Sequence, residues 1–68
     1  MNIKLNGKTE KLNGSNSLED LIKVYLNGKE SKGVAAALNS TIIPKQKWDK
    51  TLLNENDEVE IVHAVQGG

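Results

Sequence analysis

The chain has 68 residues, with nine lysines balanced by nine aspartates plus glutamates, one histidine and no cysteine. That length suits a single domain, 1–68, with one small core, and leaves little room for an internal catalytic cleft. Even charge and scattered lysines give no field for nucleic acid or an anionic membrane, and the lack of cysteine removes disulfides, thiolate nucleophiles and Cys-based zinc sites, as suits a cytoplasmic protein.

Met1 leads into Ile3 and Leu5 with polar residues between, which is not the basic start and continuous apolar stretch of a signal peptide. The longest apolar run, Val34 to Leu38, is far short of the roughly 20 residues that span a bilayer. The chain reads as soluble.

Asn2 to Leu5 alternates polar and apolar residues and predicts a strand. Asn6-Gly7 then supplies the positive φ values of a two-residue hairpin turn. The returning arm, Lys8 to Leu12, is weakly apolar, with Thr9 and Leu12 as its inward residues, and reads as an edge strand. Asn13-Gly14 ends it. Ser17 followed by Asp20 is a helix-capping arrangement, so a helix starts at Leu18. Leu18, Leu21, Ile22, Tyr25 and Leu26 recur at helical spacing and form one apolar face, and Asn27-Gly28 provides a left-handed stop.

After a polar loop, Val34 to Leu38 predicts a strand with Val34, Ala36 and Leu38 on one side. Thr41 to Ile43 makes a short strand ended by Pro44, and Gln46 to Lys50 forms a turn or short helix. Asn56-Asp57 turns the chain into a last strand over Glu58 to Val65, in which Val59, Ile61 and His63 alternate with Glu60, Val62 and Ala64. The order of elements is α+β, with one helix packed across one face of a sheet. Crossover rules favour the last strand in the middle of that sheet, parallel to the first, so that Gln66-Gly67-Gly68 is a flexible tail leaving a rigid base.

The Gly67-Gly68 ending is the most informative feature. At a usual glycine content of about 7%, such a pair ends roughly 0.5% of chains by chance. Glycine without a Cβ fits a narrow channel, although a frayed end is the bland alternative. Other residues offer less. His63 is a lone histidine without ligand neighbours, and Ser15, Ser17, Ser31 and Ser40 lie in turns with no base beside them. Trp48 is read either as packing over the sheet or as a partner contact, Tyr25 as core-facing, and Asn39 as a turn-stabilising side chain. Val62 and Ala64 point away from the helix, and such an apolar strip beside the tail is either a docking surface or tolerated exposure.

The element order with terminal Gly67-Gly68 resembles the ubiquitin-like β-grasp proteins. Ala37-Leu38-Asn39 followed by Ile42-Ile43-Pro44-Lys45-Gln46-Lys47-Trp48, and the ending Ala64-Val65-Gln66-Gly67-Gly68, are similar to the small sulfur carriers of thiamin biosynthesis, the ThiS family, over nearly the whole chain. Two departures are visible. Lys45 stands where that family often has arginine, keeping charge but losing the planar fork, and Asn56 stands where glycine is more usual. The carriers of molybdopterin synthesis share the fold and ending but usually lack the Pro-basic-x-x-Trp run, and a ubiquitin-like modifier or passive binding module is a further alternative.

The resemblance implies a protein cosubstrate and not an enzyme. The Gly68 carboxylate would be adenylated by a partner that uses ATP and magnesium, with no cofactor bound by the chain itself. Sulfur from a donor such as a cysteine desulfurase would convert it to a thiocarboxylate, and thiazole synthase would accept the sulfur. Gln66, Gly67 and Gly68 would enter partner active sites, with Val62, Ala64, Lys45 and Trp48 as candidate docking residues.

Overall fold

A polar-apolar alternation needs a partner strand before it becomes a sheet, and the Asn6-Gly7 turn supplies one. The computed structural model describes residues 1–13 and 16–63. Strand β1 (Asn2–Leu5) pairs antiparallel with β2 (Lys8–Lys11), with Ile3 opposite Glu10 and Lys4 opposite Thr9. Asn6 and Gly7 take φ of 51° and 82°, the left-handed pair expected of this hairpin. The inward residues of β2 need correction. Thr9 is exposed opposite Lys4, whereas Leu12 packs against the core. Thr9 and Leu12 differ in parity, and successive strand side chains point to opposite faces, so both cannot turn inward.

Helix α1 spans Leu18–Leu26. Ser17 caps it, its Oγ accepting from the Asp20 amide at 3.1 Å, and Asn27 ends it at φ 50° with its amide donating to the Lys23 carbonyl at 3.1 Å. Both ends therefore satisfy amides or carbonyls that the helix itself leaves open. The chain past the last short helix secures the helix start: the Leu18 amide donates to the Thr51 carbonyl at 2.7 Å and the Leu53 amide to the Asn16 carbonyl at 2.8 Å. Leu18, Leu21, Ile22 and Leu26 are buried, but Tyr25 is 42% exposed, which corrects its placement in the core. A phenol hydroxyl is costly to bury without a polar partner, and on the last helical turn the ring is left partly open to solvent.

Strand β3 (Val34–Leu38) turns through Asn39 and Ser40, at φ 48° and 73°, into the two-residue strand β4 (Thr41–Ile42). Pro44 ends that strand and opens a 3-10 helix over Lys45–Lys50, which swings Trp48 under α1 with only 2% of its surface exposed. The indole N–H donates to the Ile43 carbonyl at 2.9 Å, so the buried ring keeps its one polar atom paired.

Strand β5 covers Glu58–His63. The sheet order is β2-β1-β5-β3-β4, with β5 central, parallel to β1 and antiparallel to β3. That is the expected arrangement of a mixed sheet under one helix. Val59 and Ile61 of β5, Ile3 of β1 and Ala36 of β3 are buried together with the helix stripe, Trp48 and Leu53. His63, however, is exposed, so the inward alternation of β5 reaches the core only as far as Ile61.

Candidate functional site

The residue expected to carry chemistry, Gly68, lies outside the described residues, as do Ala64, Gln66 and Gly67. What the structure defines is the strand that leads to them. On one side β5 bonds to β1: the Lys4 amide donates to the Asp57 carbonyl at 2.8 Å and the Asn6 amide to the Val59 carbonyl at 2.9 Å. On the other side it pairs with β3 from Leu38↔Val59 through to Val34↔His63. A central strand held along both edges is the most firmly positioned part of a sheet, since moving it breaks two ladders at once.

Val62 stands on the sheet face opposite the helix and is 59% exposed, as its parity predicts. Register brings Ala35 beside it, and Ala37 lies between Glu60 and Ile42 in the adjoining pairs. Ala35, Ala37, Ile42 and Val62, with Glu60, line one shallow depression. Ile42 is 73% exposed there, so the patch contributes little to the core. Strand alternation already separates Ala35 and Ala37 from the inward Val34, Ala36 and Leu38. Ile42 could not be placed from sequence, because its face depends on the register with β3.

Lys45 is exposed at the start of the 3-10 helix, at a different place from this patch. Burial removes the Trp48 ring from the candidate docking residues: with 2% exposure it has no surface to offer a partner. Packing accounts for it. Asn39 sits at the left-handed φ of its turn, but its side chain reaches across to the start of β5 and not into that turn, accepting from the Glu58 amide at 2.9 Å and donating to Asp57 Oδ1 at 3.0 Å. Among the described residues no cluster of His, Asp or Glu could hold a metal ion, and no helix is long and apolar enough to cross a membrane.

One contributor was not anticipated. The side chain of Asn6 accepts from the Ile61 amide at 2.8 Å and donates to the Ile61 carbonyl at 3.3 Å. Asparagine before glycine signals a turn, and nothing local shows that its amide also reaches a strand 55 positions away.

A mixed five-stranded sheet crossed by one helix, with the last strand central and leading to a Gly-Gly ending, defines a ubiquitin-like β-grasp protein. Within that class the chain belongs to the ThiS family, which it matches over residues 3–68. It is 34% identical over 68 residues to the uncharacterized protein ycf40 of Porphyra purpurea, covering all of this chain and 93% of that one. It is 31% identical to a thiazole synthase of Paramagnetospirillum magneticum, again along its whole length, but spans only 20% of that protein. The crystal structure of the thiamine biosynthesis protein ThiS from Geobacter metallireducens superposes over the full length of both chains with a TM-score of 0.80 at 27% identity. The solution structure of the Geobacter protein gives 0.77, with 88% of its chain covered.

Proposed function

We propose that the chain is a sulfur carrier for thiazole formation in thiamin biosynthesis, with Gly68 as the loaded residue. The observation that carries this is the family match running through residue 68, on a fold whose central strand leads into the Gly67-Gly68 ending.

A free carboxylate resists nucleophiles because it is anionic and has no good leaving group. Attack of a Gly68 carboxylate oxygen on the α-phosphorus of ATP releases pyrophosphate and leaves an acyl adenylate. The terminal sulfur of a donor persulfide then displaces AMP, and one carboxylate oxygen departs with the phosphate. A second thiol attacks the donor-side sulfur of the resulting acyl disulfide, which releases the Gly68 thiocarboxylate and leaves a disulfide on the donor side. The chain has no cysteine, so it cannot hold sulfur as its own persulfide; the donor is another protein, such as a cysteine desulfurase. An adenylating enzyme would supply ATP and magnesium, and the carrier is a cosubstrate of these enzymes. A protein named thiazole synthase contains a segment similar to this whole chain, which supports thiazole synthase as the acceptor.

The patch of Ala35, Ala37, Ile42 and Val62 is where the adenylating enzyme would dock, because it spans β3, β4 and the β5 strand that leads to the reactive end, and the fold does not need it. Apolar surface that no core requires is the usual substance of an interface centre.

Intact-protein mass after incubation with an adenylating enzyme, ATP and a sulfur donor tests the function. Exchange of one oxygen for sulfur on Gly68 is expected, and deletion of Gly68 should abolish it while leaving the unfolding midpoint unchanged. Attachment to a lysine of another protein would instead identify a modifier, and an unchanged mass would remove the carrier role.

A further inference from the structure

Hydrogen bonds from β1 and the residue after it reach alternate positions along β5 and just before it: the carbonyls of Asp57 and Val59 accept from the amides of Lys4 and Asn6. Ile61 is next in that parity, so its amide and carbonyl also face the β1 side. β1 has no residue left to meet them, because it ends at Leu5 and the backbone at Asn6 turns away with φ 51°. The Asn6 side chain takes the place of the missing rung. Its Oδ1 accepts from the Ile61 amide at 2.8 Å and its Nδ2 donates to the Ile61 carbonyl at 3.3 Å, as a strand backbone would. With Ile61 only 3% exposed, the surroundings leave these groups little water to bond instead.

The next residue of this parity, His63, is only opposite Val34 of β3 in register, since the Val34 amide donates to the Ser31 carbonyl. The backbone polar groups of His63 face the β1 side, which β1 no longer occupies. Double-sided anchoring of β5 thus ends at Ile61, seven residues before Gly68. We propose that Asn6 is a positioning residue for delivery of the Gly68 carboxylate: by completing the ladder at Ile61 it fixes the direction in which the end of the chain leaves the sheet. The inference rests on the carrier function above. It separates docking, which belongs to the open apolar face, from aim, which belongs to Asn6.

Asn6→Gly is the discriminating variant, since glycine keeps the left-handed turn and removes only the side-chain amide. With the full chain, ATP and the adenylating enzyme, kcat for pyrophosphate release should fall roughly tenfold, a modest share of what a 1 Å misplacement can cost, while KM for the carrier stays within about twofold. Hydrogen exchange at the Ile61 amide should quicken in the same variant. Asn6→Asp keeps the acceptor for that amide and tolerates the turn, so slow exchange and part of the kcat should return.

A wild-type kcat in Asn6→Gly, a loss carried by KM alone, or unchanged exchange at Ile61 overturns the inference. If circular dichroism shows Asn6→Gly unfolded, Asn6→Asp decides: a several-fold fall in kcat at constant KM is expected, and an unchanged kcat overturns it. Failure of the native chain to be adenylated removes the carrier function and this inference together. Normal loading of the native chain with an indifferent Asn6→Gly removes only the inference.

Discussion

Strand β5 is clasped at both ends by an asparagine from a hairpin turn, and the two ends are held differently. At its start Asn39, at φ 48°, bonds the Glu58 amide and Asp57 Oδ1, while Asp57 Oδ2 accepts from the Asn54 amide and the Asn39 amide donates to the Glu58 carbonyl. At its far end Asn6, at φ 51°, bonds both polar backbone groups of Ile61 by itself. The first clasp is a mesh in which one lost bond leaves others standing. The second is a single side chain, placed where the strand runs on toward Gly68. Redundancy at the start stabilises the fold, whereas the lone clasp at the end governs where the chain points.

The largest expected effect comes from the residue that ties the far end to the core. Ile61→Ala empties a buried site between β5 and α1 and should lower stability by about 2–4 kcal/mol in urea unfolding. The Asn6 bonds go to the Ile61 backbone and survive the change. A loss below about 1 kcal/mol would mean that the far end is not anchored in the core, and the contrast between the two ends would fail.

Next in size is the open face. Val62 and Glu58 both point away from the helix on β5, Val62 near the far end and Glu58 at the start. Val62→Glu should raise KM for adenylation roughly tenfold, the equivalent of about 1.4 kcal/mol, with stability unchanged within about 0.5 kcal/mol. Glu58→Ala should leave KM where it was. Equal effects of the two substitutions would spread docking over the whole face and remove its link to the far end.

Much of this arrangement could be read from the sequence because its signals are local. Asn6-Gly7, the helical stripe from Leu18 to Leu26, the Asn27 stop and the alternation at Val59 and Ile61 each fix backbone conformation or side-chain face within a few residues. The central place of the last strand follows from chain connectivity, and the β-grasp fold with it. What stayed hidden depends on distant partners. β2 has too few apolar residues to reveal which face Thr9 takes, and Tyr25 lies in the stripe yet stays 42% exposed. Whether Trp48 packs or docks is decided by the 3-10 helix after Pro44, which folds it inward. The second role of Asn6 is the deepest case: its identity is fully explained by the turn, so nothing remains in the local pattern to announce the bonds to Ile61.

The smallest effect is the most direct comparison of the clasps. Asn39→Gly keeps the left-handed turn into β4 and deletes the two side-chain bonds, just as Asn6→Gly does at the other end. Both lost bonds are exposed, so water can replace them, and the remaining contacts of Asp57 with Asn54 persist. Stability should fall by about 1 kcal/mol or less, seen as a small shift of the urea midpoint. Adenylation should keep its native kcat, because the start of β5, Glu58, is three residues further from Gly68 than the last shared rung, Ile61, and remains bonded to both neighbours. A fall in kcat as large as that of Asn6→Gly would show that any loosening of β5 disturbs delivery, and aim could then no longer be assigned to the far end alone.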